Sequence, residues 1–162
     1  MMQRRHLLLA AASAMLLPLS ANAQALTAAE QAFLDRLGPD WRVGPNGPTR
    51  YRIVKSGPPN GPLVPLVSTA TLHYQGRLEN GKPFEDTREA GKPAQLMLTR
   101  VIAGWKQVLP LMRPGDVWEL AIPASAGYGP TGSASGKVPP NANLFFTIEL
   151  ITFVKPKLSS GF

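Results

Sequence analysis

The 162-residue sequence has no cysteine. That absence excludes a disulfide framework, a thiolate nucleophile and any cysteine-based metal site. Histidine is almost as scarce, with only His6 and His73, so no recognisable metal-ligand spacing is available. No apolar run reaches the ~20 residues that a membrane-spanning helix needs. No internal repeat is visible, and acidic side chains number only 10 against 17 Lys and Arg. The basic residues are scattered, with no arginine-rich run and no aromatic-interleaved stripe, so the charge does not mark a nucleic-acid binder. It reads as a solvated surface.

The first residues form a targeting pattern. Arg4, Arg5 and His6 are a basic start, Leu7 to Leu19 is apolar, and Ala21-Asn22-Ala23 is a small-x-small site before Gln24. A cleavable export signal over 1–23 is expected, by the Sec or the twin-arginine route, with a periplasmic destination and no stable membrane anchor. Removing Arg4 and Arg5 leaves 15 basic against 10 acidic side chains, a net +5. The remaining length suits one domain, held by its apolar core alone.

Thr27-Ala28-Ala29-Glu30 is a capping-box sequence. Ala29, Phe33 and Leu37 then share a helical face until Gly38-Pro39 ends the run, which predicts a short helix acting as a packing lid. The segment 24–49 is expected to be this helix and a Pro/Gly-rich linker, 50–156 the folded domain and 157–162 a tail. Residues 51–56 alternate as a half-exposed strand. Residues 69–78 alternate as another, followed by the Glu79-Asn80-Gly81-Lys82 hairpin turn. Leu96 to Leu98 suggest a third strand. Val101, Trp105, Val108 and Leu109 have helical spacing, limited by Pro110. Residues 117–122 and 144–153 are long strands separated by a Gly/Pro/Ser-rich loop. One helix of that size cannot bury itself and must lie on a sheet, so the fold class is α+β.

Six ordered blocks now stand out. Leu72-His73-Tyr74-Gln75-Gly76 precedes Leu78-Glu79-Asn80-Gly81-Lys82-Pro83-Phe84. Val101-Ile102-Ala103-Gly104-Trp105 follows, then Arg113-Pro114-Gly115-Asp116 leading into Trp118-Glu119-Leu120. Gly127-Tyr128-Gly129 and Val138-Pro139-Pro140 through Phe146 close the series. In this order they resemble the FKBP-type peptidyl-prolyl cis-trans isomerases, and the exported, macrophage-infectivity-potentiator-like branch in particular. That branch's long dimerisation arm has no counterpart in residues 27–38.

The resemblance implies an antiparallel, strongly curved sheet wrapped around one short helix, and an isomerase that needs no cofactor and no metal. It implies Trp105 as pocket floor, Tyr74, Phe84, Val101, Ile102 and Phe146 as walls, and Val138 at the rim. Tyr128 and the Ile102 N–H would donate to substrate, and Glu85 would order the site. Implied partners are proline-containing unfolded or exported polypeptides and, weakly, macrolides of the rapamycin class; a monomer is expected. The departures are Glu85 for the family's usual Asp, Ala94 for a pocket Phe, Ala90 for a basic partner of the carboxylate, and Lys137 for an aliphatic residue. Ser133-Ala134-Ser135 makes the flap long and soft. A competing reading is a chaperone or peptide-docking module on the same fold. A serine hydrolase lacks its parts, because His73 alternates between Leu72 and Tyr74 in a strand.

Overall fold

The computed structural model describes residues 25–156; the expected export signal at 1–23 and the tail at 157–162 lie outside the described residues. Helix α1 (Ala28–Asp35) is followed by β1 (Arg42–Val43), β2 (Arg50–Lys55) and β3 (Thr69–Leu78). Next come β4 (Pro83–Asp86), β5 (Ala94–Met97), helix α2 (Ala103–Val108), β6 (Val117–Ile122) and β7 (Leu144–Val154). The strands form one antiparallel sheet in the order β1-β2-β6-β7-β3-β4, and β5 pairs with the first half of β3. This is the α+β architecture the patterns predict.

Alternation along the strands sorts the two faces. Leu72, Leu120, Ile122, Leu144, Ile148 and Leu150 are all fully buried on the face that carries α2. There they meet Trp105, Val108, Leu109 and Met112. Fully burying one such side chain contributes about 1.5–3 kcal/mol, so this layer dominates the stability. Gly104 lets α2 settle onto β6, since a Cβ there would stand 2.6 Å from the Ile122 side chain. The helix is shorter than its apolar spacing predicts. Val101 is extended, and past Val108 the chain tightens into a 3₁₀ turn over Leu109–Leu111 that accommodates Pro110.

On the other face α1 packs Phe33 and Leu34 against Ala121 and Phe145. The capping box forms as its sequence predicts, but the buried face is rotated. Glu30 and Leu34 are buried while Ala29 is exposed. The stretch 39–49 is not a linker. β1 pairs with β2, Trp41 packs on Phe145 with ring centroids 6.0 Å apart, and the fully buried Thr49 hydroxyl donates to Gln107 Oε1 at 2.5 Å. Its aromatic and its hydroxyl find partners that local composition does not reveal. Among the described residues no helix is long and apolar enough to cross a membrane.

Candidate functional site

The β3–β4 hairpin, α2 and the loop before β7 converge on a cleft of about 250 Å³. Trp105, only 3% exposed, is among the residues that line it. The Tyr74 ring stands at 85° to it with centroids 5.1 Å apart, and Phe146 stands at 88° with centroids 5.2 Å apart. Edge-to-face pairs of this kind contribute about 0.5–1.5 kcal/mol each beyond their burial, so the three rings fix one another. Gly76, paired in register with Phe146, makes the arrangement possible. A Cβ there would meet Phe84 at 2.5 Å and Phe146 at 2.9 Å.

Val101, Ile102, Glu85 and Tyr128 complete the group of expected residues that line the cleft. Phe84 and Val138 do not line it. Phe84 packs edge-to-face on Phe146, with centroids 5.7 Å apart at 88°, and Val138, 2% exposed, belongs to the core cluster. The flap is tied rather than soft. The Ser133 N–H donates to the Val138 carbonyl, and the Val138 N–H donates to Ser133 Oγ, both at 2.9 Å.

Two lining residues escaped the sequence reading, Leu96 and Arg100. Ala94 and Leu96 fall on the same side of β5, whose exposure alternates. Leu96 therefore supplies apolar wall near the small Ala94, a signal available from two-residue periodicity. Arg100 ends the 3₁₀ turn Leu98–Arg100 and is exposed. It has no ion-pair partner among the described residues.

The electrostatics are those of hydrogen-bond donors. Burial pushes the Tyr74 hydroxyl well above its ordinary value, and the nearby Glu85 carboxylate adds to the shift. Burial, and then the charge of Glu85, raise Tyr128. Both phenols therefore stay protonated at neutral pH. Glu85 acts on Tyr128 through charge alone, leaving that O–H available to a ligand. The backbone N–H of Ile102, just before α2, donates to no acceptor among the described residues. The lining includes no Ser, Cys, His or Lys, and Glu85 is its only carboxylate, so neither a covalent nor a paired-carboxylate mechanism has its parts.

His73 lies on the opposite side of β3, its Nδ1 2.9 Å from the Thr87 hydroxyl. The neighbouring polar groups there pair among themselves, Gln75 with Asp86 and Arg88 with Glu149. Among the described residues no cluster of His, Asp or Glu could hold a metal ion.

Comparison with known proteins agrees with this geometry. The family profile described as FKBP-type peptidyl-prolyl cis-trans isomerase matches residues 65–151. The chain is 40% identical over 113 residues to "Outer membrane protein MIP" of Legionella longbeachae, covering 70% of this chain and 47% of that protein. It is 42% identical over 103 residues to "FK506-binding protein 1" of Dictyostelium discoideum, covering 62% of this chain and 94% of that one. Among solved structures, a peptidyl-prolyl cis-trans isomerase of Pseudomonas syringae superimposes with a TM-score of 0.69 at 29% identity, over 78% of this chain and 92% of that one. The chain spans about half the length of the infectivity-potentiator relatives it matches.

Proposed function

The chain belongs to the FKBP-type peptidyl-prolyl cis-trans isomerase family, and we propose that it accelerates X-Pro rotation in exported polypeptides. The observation that carries this reading is the Trp105 ring met edge-to-face by both Tyr74 and Phe146 in the lining of the cleft, with the Tyr128 phenol beside them.

Peptide rotation faces a barrier of about 18–20 kcal/mol because the C–N bond has partial double-bond character. Uncatalysed X-Pro exchange takes tens to hundreds of seconds. No bond is made or broken, so a nucleophile is unnecessary. The site must bind the twisted amide better than the planar one. Twisting weakens resonance and reduces the amide dipole, so a dry apolar surround favours the twisted state over water. In this reading Trp105 carries the proline ring, while Tyr74, Phe146, Val101 and Ile102 enclose it. Phe84 and Val138 support that wall from behind. Tyr128 and the Ile102 N–H donate to substrate carbonyls, and Glu85 holds Tyr74 in place.

The cleft would also admit macrolides of the rapamycin class weakly, Ala94 leaving less wall than the family's usual Phe. The leader pattern supports a periplasmic location, and the short α1 supports a monomer. The test is isomerisation of X-Pro peptides in a protease-free assay with the 24–162 chain. Acceleration that Trp105→Ala abolishes supports the enzyme. A folded protein that binds proline peptides without accelerating them would be a docking module.

A further inference from the structure

A carboxylate as buried as Glu30, 5% exposed, needs partners for both oxygens. One oxygen serves the helix: Oε2 accepts from the Thr27 N–H at 2.8 Å and from its hydroxyl at 2.9 Å. A capping box does only this, and it works at an exposed helix end. The other oxygen leaves the helix altogether. Oε1 accepts from the Ser125 N–H at 2.7 Å, across 95 positions of sequence.

Ser125 sits in the 3₁₀ turn Ala124–Ala126, three residues before Tyr128. A second arm from α1 reaches the same turn. Arg36, the C-cap of α1, pairs with Glu79, whose Oε2 accepts from Asn143 Nδ2 at 2.8 Å. Asn143 Oδ1 in turn accepts from the Ala124 N–H at 3.0 Å. Two successive amides of the turn are therefore held by side chains that lead back to one helix. That helix is itself fixed to β6 and β7 through Phe33, Leu34, Ala121 and Phe145. Within itself the turn has only the 3₁₀ bonds of Ala126 and Gly127 to Pro123 and Ala124, whose geometry is poorer than that of an α-helix.

We infer that α1 is a brace for the Tyr128 loop, and that Glu30 is a positioning residue for isomerisation although it lies outside the cleft. It acts by fixing the Ala124–Ala126 turn, and through it the distance from the Tyr128 hydroxyl to the substrate carbonyl. This rests on the isomerase reading and on Tyr128 as donor.

The test is a double-mutant cycle in the full chain. Glu30→Ala, Glu30→Asp and Glu30→Gln are each made with Tyr128 present and as Tyr128→Phe, and kcat/KM is measured. A residue acting through Tyr128 loses its effect once the hydroxyl is gone. Glu30→Ala should lower kcat/KM about five-fold with Tyr128 present, and less than about two-fold in Tyr128→Phe, since coupled residues are non-additive. Glu30→Asp keeps the charge but falls one methylene short of Ser125, and should behave like Glu30→Ala. Glu30→Gln keeps an oxygen for Ser125 and should recover most activity. Should Glu30→Ala not fold, the aspartate variant carries the cycle. Equal losses with and without the Tyr128 hydroxyl, or no loss in folded Glu30→Asp, would overturn the brace. Amide hydrogen exchange at Ser125–Gly127 decides the matter separately from turnover. Faster exchange in Glu30→Asp supports the brace, and unchanged exchange overturns it. If the parent shows no acceleration, the isomerase reading fails while the exchange result still stands for the brace.

Discussion

Removing one oxygen at Tyr128 separates substrate binding from folding more cleanly than any other change in this cleft. The hydroxyl is part of the lining, its proton is retained through burial and the nearby Glu85 charge, and Glu85 makes no hydrogen bond to it. Tyr128→Phe should therefore leave thermal stability within about 0.5 kcal/mol, as for substitutions that break no internal contact. The cost falls on the substrate. A net hydrogen bond contributes about 0.5–1.5 kcal/mol, which converts to a loss of about 2- to 13-fold in kcat/KM. Losing a donor that meets planar and twisted amides equally raises KM, and losing one that favours the twisted form lowers kcat. Tyr74→Phe is the matched control, because its hydroxyl is the phenol on which burial and the nearby Glu85 carboxylate act most strongly. Its loss should appear partly as a lower melting temperature. Both variants are compared by calorimetry and by protease-free isomerisation of one X-Pro peptide. A larger activity loss in Tyr74→Phe than in Tyr128→Phe, or no loss in the latter, would refute the assignment of Tyr128 as donor.

Further expectations follow from other residues. Burial pushes the Glu30 carboxyl up, but its hydrogen bonds from Ser125 and Thr27 outweigh this and hold it below the ordinary value of 4.5. A lowered acid stabilises the fold fully above that ordinary value, and the contribution is lost as pH falls through the depressed one. The stability gap between parent and Glu30→Gln should therefore be constant at neutral pH and narrow below about 4.5 in melting experiments. Arg100 is a cation in the lining with no ion-pair partner among the described residues, so peptides with Glu before proline should exceed those with Lys in kcat/KM at low salt. Arg100→Glu should reverse that order, and added salt should weaken both effects. Gly76→Ala puts a methyl against Phe84 and Phe146. It should cost about 1–3 kcal/mol by overpacking and raise KM as Phe146 is displaced towards the cleft.

What the sequence disclosed depended on distance along the chain. The long strands and the capping box are written in local periodicity and appear where their patterns predict, whereas the helix carrying Trp105 appears there but shorter than its spacing predicts. The aromatic members of the cleft were legible through ordered motifs rather than through pattern, since a Trp at helical spacing has the same appearance in any core. Residues 39–49 resembled a linker because Pro and Gly dominate their composition. Their order comes from Thr49 meeting Gln107, 58 positions away. Glu30 shows the same limit. Its capping role can be read from four residues, while its bond to Ser125 spans 95. Ala94 reads as a missing wall until the pairing of β5 with β3 brings Leu96 onto the same side.

The central claim is that a dry aromatic cleft over Trp105 lowers the barrier to X-Pro rotation. Its most direct test is the isomerisation rate of an X-Pro peptide panel, measured without protease, for the 24–162 chain beside Trp105→Ala. The indole is 3% exposed and packs on two rings, so its removal should cost about 3–5 kcal/mol of stability, and folding is confirmed first by circular dichroism. The account predicts acceleration by the parent and its near-complete loss in the folded variant. Equal acceleration by both, or none by a folded parent across the panel, would contradict it.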